Sequence, residues 1–455
     1  MNLNQVDLKL IFKKNILTKR INNICINSKE ATKNSIFIAI KGKRTDGHLY
    51  VNEALKNGCD IAIVKKNFKI EKKYKNKIHK VHSTLSFLTK IAKYQRAKSN
   101  GVFIGITGSF GKTTLKFMLS YFLSKYKKTF SSPRSFNNHF GLPLSLSNTP
   151  HSSKYNIFEI GMSNKGEIDK LSKILKPNIS VITNIGPAHL ENLKSLQNIC
   201  LAKAEIMNHM KANEVIFLNA NDEYFNTLKN LAENKNLKVI TFGYLKKCNV
   251  QLVKIKKEIN KLYLFIKIYK TTYKIETNTI NKNFIDNFLI TCAISFHLGL
   301  NLTKIIKYAK KFTTPSGRGN IVVKKFNNKK ITIIDESYNA NPVSMKNAIE
   351  NFSYSKTQKS KKIAIIGDML ELGSHSKFYH EQLAGIIKKS NIDYVYFVGR
   401  EVLNTYRKLR NTDKYRIYED VEQFREFFLE IINEKSIFLI KGSNGVGLHK
   451  LLNKI

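Results

Sequence analysis

The sequence predicts an α/β protein of three domains: a smaller strand-containing segment over residues 1–98, a central glycine-loop domain over 99–312, and a Rossmann-like α/β domain over 313–455. The central domain is expected to hold a mostly parallel sheet with an antiparallel addition. Three observations carry this reading. The chain has 455 residues, which suits about three domains of ordinary size. Short apolar runs alternate with stretches of helical periodicity through the central and last parts, as βα units do. Between residues 248 and 280 the pattern changes to period-two alternation, as in hairpins.

In the first segment, 35–40 and 61–64 read as strands, separated by the turn-rich basic loop Lys41-Gly-Lys-Arg-Thr-Asp-Gly-His48. The central segment opens on an apolar run at 102–106, followed by a glycine turn and a helical stretch from Leu115. Further strands are expected at 155–160, 179–183 and 215–218. Residues 253–257, 262–268 and 273–275 alternate as an antiparallel group, and a helix is expected over 284–298, ended by Gly299. Thr314-Pro-Ser-Gly-Arg-Gly319 marks a boundary. After it come strands at 331–334, 363–366, 394–398 and 437–440, each followed by a turn and a helical stretch.

The glycine turn is Gly105-Ile-Thr-Gly-Ser-Phe-Gly-Lys-Thr-Thr114. Strand, glycine turn, Lys-Thr and helix is an arrangement that wraps phosphate. Glycines let backbone N–H groups approach the oxygens, and the helix N-terminus adds a favourable dipole. Lys112 offers a cation to the β- and γ-phosphates, and the Thr113 hydroxyl offers a ligand to Mg²⁺. The strict P-loop pattern wants a glycine where this chain has Ile106. A nucleoside triphosphate is the expected ligand.

Lys and Arg number 78 against 33 Asp and Glu, a net charge of +45. Such a balance favours anionic ligands. The lysines are spread along the chain among many Asn and Ile, and no basic tail stands apart, so compositional drift explains the charge better than a nucleic-acid footprint. No specific nucleic-acid partner is expected. Five cysteines lie scattered without CxxC pairs, which suits a reducing compartment and implies no zinc site. There is no apolar leader and no run of membrane-spanning length, so a cytoplasmic protein is expected.

Three further residues stand near the carboxyl ends of central strands, where ligands gather in open parallel sheets. Glu159 ends an apolar run, His189 follows Thr183-Asn-Ile-Gly-Pro-Ala, and Lys203 lies on an expected helix. A carboxylate and an imidazole beside a triphosphate loop suit Mg²⁺. Taken singly, each has an ordinary alternative: a solvated rim carboxylate, a structural histidine, a surface lysine.

Together with Phe136-Asn-Asn-His-Phe-Gly-Leu-Pro143, these motifs resemble the central domain of the Mur ligases, the ATP-dependent amide ligases of peptidoglycan precursor synthesis. Asp335-Glu-Ser-Tyr-Asn-Ala-Asn-Pro342, Gly367-Asp-Met-Leu-Glu-Leu-Gly373 and Lys441-Gly-Ser443 resemble the member that adds D-alanyl-D-alanine to the UDP-N-acetylmuramoyl-tripeptide. Ile26-Asn-Ser-Lys29, Phe37-Ile-Ala-Ile-Lys-Gly42 and Asp46-Gly-His48 fit that member's nucleotide-sugar domain, so the resemblance spans essentially the whole chain. It implies ligation through an acyl phosphate, with consequences for the cell wall, cell shape and division. A monomer is expected.

The resemblance also implies roles. Gly105, Gly108, Ser109, Gly111, Lys112, Thr113 and Thr114 would hold ATP phosphates, with Thr113 on one Mg²⁺. Glu159 and His189 would hold a second metal. Lys203 matches a lysine modified by CO₂ to a carbamate. Asn287, Arg318 and Asp335 would lie near the nucleotide. Asn137, Asn138, Tyr338, Asn339 and Asn341 would line substrate sites, and Ser28, Thr45, Asp46 and His48 would serve the UDP end. Departures from the family pattern are Phe110, Glu336, the pair Asn283-Phe284, Lys29 and Asn444. A basic nucleic-acid-binding NTPase is the reading from another class. Against it, no strand ending in an Asp-Glu pair follows soon after the glycine loop.

Overall fold

A computed structural model describes all residues except 17, 19, 43–44, 70, 259–260, 280, 327–328, 356–359, 410–411, 433–434 and 454–455. Lys43 and Arg44 of the basic loop therefore lie outside the described residues. Three main sheets follow one another along the chain. The first is a four-stranded parallel sheet in the order Asn23–Cys25, Ser35–Ile38, Ile61–Lys65, Ile78–Val81. The helix Thr84–Lys98 leaves it, capped by the Ser83 hydroxyl, and packs on the helix Gly141–Ser147 of the next unit.

The central sheet has nine strands. From one edge their order is Thr129–Ser131, Tyr155–Glu159, Val102–Thr107, Ile179–Ile182, Val215–Asn219, Lys238–Gly243, Val250–Glu258, Lys261–Ile268 and Thr271–Thr277. Neighbours are parallel up to Val250–Glu258, and the last two pairings are antiparallel. The mostly parallel sheet with an antiparallel addition is thus the observed one. Its inner strands are buried on both faces, which explains their unbroken Val/Ile/Phe runs. The helices Lys112–Leu123 and Lys282–His297 pack together on one face, with Phe122 and Phe288 edge to face at 5.7 Å.

The last sheet has six strands in the order Asn320–Phe326, Lys329–Glu336, Ser436–Lys441, Lys361–Gly367, Tyr394–Val398, Tyr415–Tyr418. Only its first pairing is antiparallel. Two expectations differ here. Asn320–Phe326 and Tyr415–Tyr418 are additional edge strands. The strand Ser436–Lys441 leads into short 3₁₀ turns, Asn444–Val446 and Leu448–Asn453, rather than an α-helix.

The carboxyl ends of the central and last sheets face one cleft. Thr107, Glu159 and Ile182 end central strands, while Glu336, Gly367 and Lys441 end strands of the last sheet. Both sheets therefore present the end at which ligands of parallel sheets bind.

Candidate active site

The glycine loop runs from the strand Val102–Thr107 into the helix Lys112–Leu123. Gly108 has φ +148° and Gly111 φ +83°, conformations that side-chain-bearing residues rarely adopt. A Cβ on Gly108 would lie 1.9 Å from Thr183 Oγ1. That hydroxyl cannot easily yield, because it donates to the Phe110 carbonyl at 2.7 Å. Gly108→Ala is therefore expected to cost at least about 1–3 kcal/mol through backbone strain and to weaken nucleotide binding. Urea unfolding and an ATP titration would check both.

The loop is pinned to the next strand end. Ser109 Oγ donates to the Gly186 carbonyl at 2.8 Å and accepts from its N–H at 2.9 Å. Asn184 holds both backbone groups of Phe110, at 3.1 Å each. The Phe110 ring then stands in the wall between two cavities, and that position accounts for a residue the motif alone leaves unexplained. Lys112 Nζ folds back onto the Gly108 carbonyl at 2.6 Å. Burial pulls its ammonium below the usual lysine value, opposed by the Glu159 carboxylate.

Glu159 is 2% exposed and fully engaged. Thr113 Oγ1 donates to its Oε2 at 2.8 Å, and Asn137 Nδ2 to its Oε1 at 2.8 Å. From the C-terminal unit, Arg318 Nη2 reaches Thr113 Oγ1 at 3.3 Å, with its guanidinium 4.4 Å from the centre of the Tyr338 ring. His189, in the left-handed region at φ 61°, pairs through Nδ1 with Glu371 Oε2 at 2.6 Å. That hydrogen bond, more than any other influence, holds the Glu371 carboxyl below its ordinary range.

These groups line a cavity of about 580 Å³, together with Asn138, Asn339, Asn341 and Ser443. A second cavity of about 320 Å³ lies across Phe110 and Arg318, lined by Asn281, Asn283, Phe284, Phe312 and Glu336. A buried carboxylate paired to a threonine hydroxyl beside a lysine-tipped loop is a donor set that suits a hard cation and polyphosphate.

Comparison with known proteins agrees with this geometry. Residues 20–104 match the model of the Mur ligase family catalytic domain, 106–295 the Mur ligase middle domain, and 317–444 the Mur ligase glutamate ligase domain. A UDP-N-acetylmuramoyl-tripeptide--D-alanyl-D-alanine ligase of Rickettsia prowazekii is 34% identical over 95% of this chain and 94% of its own. The chain belongs to the Mur ligase family. Among solved Mur ligase structures, MurF from Acinetobacter baumannii superposes with a TM-score of 0.86 at 25% identity, covering 100% of this chain and 98% of its own. The MurF ligase of Thermotoga maritima in complex with ADP gives 0.80 at 27% identity, covering 95% and 96%.

Within this Mur ligase the residues singled out from sequence fall into separate groups. Ser109, Gly111, Lys112, Thr113, Asn137, Asn138, Glu159, His189, Arg318, Tyr338, Asn339 and Asn341 share the larger cavity. Lys203 is absent from that lining, is 2% exposed, and its ammonium makes no hydrogen bond among the described residues. Burial, and then the charge of Lys112, push it well below the ordinary lysine value. Asn287 and Asp335 line neither cavity. Asn287 donates to the Gly111 carbonyl at 3.3 Å and so supports the loop. Asp335 accepts from the Gly317 and Ser337 backbone N–H groups at 2.8 and 3.1 Å, which shapes the turn presenting Arg318. Its neighbour Glu336, a departure from the family pattern, instead faces the second cavity and pairs with Lys441 Nζ at 3.1 Å.

In the N-terminal unit, Asp46 accepts from His48 Nδ1 at 2.6 Å, and His48 Nε2 accepts from the Lys65 backbone N–H at 3.1 Å. Ser28 donates to Glu53 at 3.0 Å, and Thr45 to Tyr50 at 3.2 Å. None of the four lines the two cavities described.

Two contributors escaped the sequence reading. Glu371 was visible only inside the run Gly367–Gly373, with no mark of its partner. Lys116, fully buried one turn after Thr113, bonds the Arg134 carbonyl and so anchors the approach to Asn137; burial lowers its ammonium to about 8.

Proposed function

We propose that this chain is an ATP-dependent ligase that joins D-alanyl-D-alanine to UDP-N-acetylmuramoyl-tripeptide in peptidoglycan precursor synthesis. The observation that carries the reading is the paired reach of the C-terminal unit over the phosphate loop: Arg318 to Thr113 at 3.3 Å and Glu371 to His189 at 2.6 Å. A ligase of this kind must bring several anions together, and the cleft supplies cations from two units for that purpose.

We assign residues 1–98 to the UDP-sugar, 99–312 to ATP and 313–455 to the incoming dipeptide. Lys112 and the loop N–H groups hold the transferred phosphate, and Arg318 offsets the charge that spreads over its oxygens. The tripeptide carboxylate attacks that phosphorus, ADP leaves, and an acyl phosphate forms. The dipeptide nitrogen then attacks the carbonyl, and inorganic phosphate departs. Thr113, Glu159 and His189 would hold Mg²⁺, which would supply positive charge to offset that of the phosphates. Lys203 in its simple form gives no oxygen donor. A buried amine pushed toward neutrality is the form that adds to CO₂, so carbamate formation fits this lysine.

Among the described residues no helix is long and apolar enough to cross a membrane. All five cysteines are free and buried, which suits the cytoplasm. The test is a coupled ADP-release assay with Mg²⁺, D-alanyl-D-alanine and UDP-tripeptide carrying either diaminopimelate or lysine. ADP release that requires tripeptide and yields the UDP-pentapeptide supports the reading. Folded, Mg²⁺-loaded protein that releases none with either substrate sinks it.

A further inference from the structure

The larger cavity holds an acidic group that the phosphate chemistry does not need. Of its lining residues, three are acidic: Glu159, Glu167 and Glu371. Glu159 is occupied by Thr113 and Asn137. Glu167 accepts from the Ser163 N–H at 2.8 Å and from Asn164 Nδ2 at 3.0 Å. Glu371 is the one acid the C-terminal unit contributes to the described lining. Its side chain is 58% exposed; Oε2 meets His189, and Oε1 takes no hydrogen bond among the described residues.

This carboxylate is held on purpose-built backbone. Glu371 sits in the left-handed region at φ 66°, a conformation that non-glycine residues seldom adopt. Three contacts fix it there. The Glu371 carbonyl accepts from the Glu191 N–H at 3.2 Å. Leu370 N–H donates to Ser443 Oγ at 3.0 Å, and Met369 N–H to Nε2 of the fully buried His380 at 3.1 Å. An anion pinned at the rim of a polyphosphate cleft repels the phosphates unless a cation lies against it. The amine substrate brings such a cation, since an α-amino group is largely protonated near neutral pH.

We propose that Glu371 is the recognition site for the ammonium of the incoming dipeptide, resting on the ligase reading given above. Oε1 receives the N–H donors, while the contact of Oε2 with His189 makes the site complete only when the C-terminal unit is closed. The ammonium sheds one proton before its nitrogen attacks; Glu371 sets where that nitrogen sits. Tyr338, Asn339 and Ser443 wall the space beside it.

The test is E371Q in the full chain, which keeps shape and removes charge. The KM for D-alanyl-D-alanine is expected to rise about 10–100-fold, the weight of a hydrogen bond to a charged group. The KM for ATP and for UDP-tripeptide should shift far less than the KM for D-alanyl-D-alanine. D-lactyl-D-alanine, with a hydroxyl in place of the ammonium, should inhibit wild type and E371Q equally. E371D, which keeps the charge, should recover part of the dipeptide affinity. An unchanged dipeptide KM in E371Q overturns the inference, and so does a raised Mg²⁺ or ATP requirement in its place, which would give Glu371 to the metal. Wild-type protein that fails to ligate would instead defeat the ligase reading itself.

Discussion

Lys112→Ala is expected to lower ligation about 10²–10³-fold, the usual cost of removing one preorganised donor aimed at developing charge. The expectation follows from where the ammonium lies. Lys112 Nζ rests on the Gly108 carbonyl at 2.6 Å, inside the loop rather than out in solvent. Burial lowers this ammonium below the usual lysine value, and the buried Glu159 carboxylate opposes that lowering more than any other charge. A triphosphate on the loop N–H groups would draw it off that carbonyl and into a low-dielectric cleft, where a charge contact outweighs its value in water. The loss should fall on kcat as well as on the KM for ATP, because charge gathers on the transferred phosphate in the transition state. Single-turnover ADP release would separate the two. A variant with full kcat and only a weakened ATP KM would make Lys112 a binding residue and no more. The fold should survive, since the side chain replaces no packing in the core.

Much of this site was legible because its parts are local. The glycine loop, Lys112 and Thr113 lie together in sequence, and strand-to-helix turns place them at a sheet end. Glu159 was legible as a carboxylate closing an apolar run, since only a strand's end gives such a residue access to a ligand. The antiparallel addition was legible as well, because its strands alternate in exposure while the inner parallel strands do not. The strand Thr129–Ser131 was not, being three residues long at a sheet edge. Asn320–Phe326 leaves Ile321 and Val323 exposed and joins only one neighbour, so its pattern carries little burial signal. Long-range pairings were invisible for a different reason. Nothing local marks Glu371 as the partner of His189, or Asp335 as a brace for the Gly317 turn rather than a group facing the cavity. Such roles are set by how two sheets meet, and a single sequence does not state that.

Lys203→Ala should test the chemistry of that buried amine. An unpaired ammonium that is 2% exposed and close enough to Lys112 to feel its charge carries a desolvation cost of several kcal/mol. A purely structural lysine would find an acceptor or reach solvent, as Lys116 does with the Arg134 carbonyl. Among the described residues Lys203 takes no such acceptor. Burial instead drives it toward the neutral amine, whose lone pair can add to CO₂ with loss of one proton. The product is an anion with oxygen donors beside Lys112, so repulsion becomes attraction. If the carbamate forms, Lys203→Ala removes a buried oxygen ligand. Ligation is then expected to fall about 10–100-fold, the scale reported for groups that support a metal site. Bicarbonate should restore nothing, because no amine remains to be modified. Formate should restore part of the activity by supplying a small carboxylate to the vacated space. Wild-type protein kept free of CO₂ should lose activity and regain it on adding bicarbonate, and mass spectrometry of intact protein under mild conditions should show the added CO₂. Full activity in Lys203→Ala would remove the carbamate from the mechanism. It would leave the burial of this charge as a feature of folding alone.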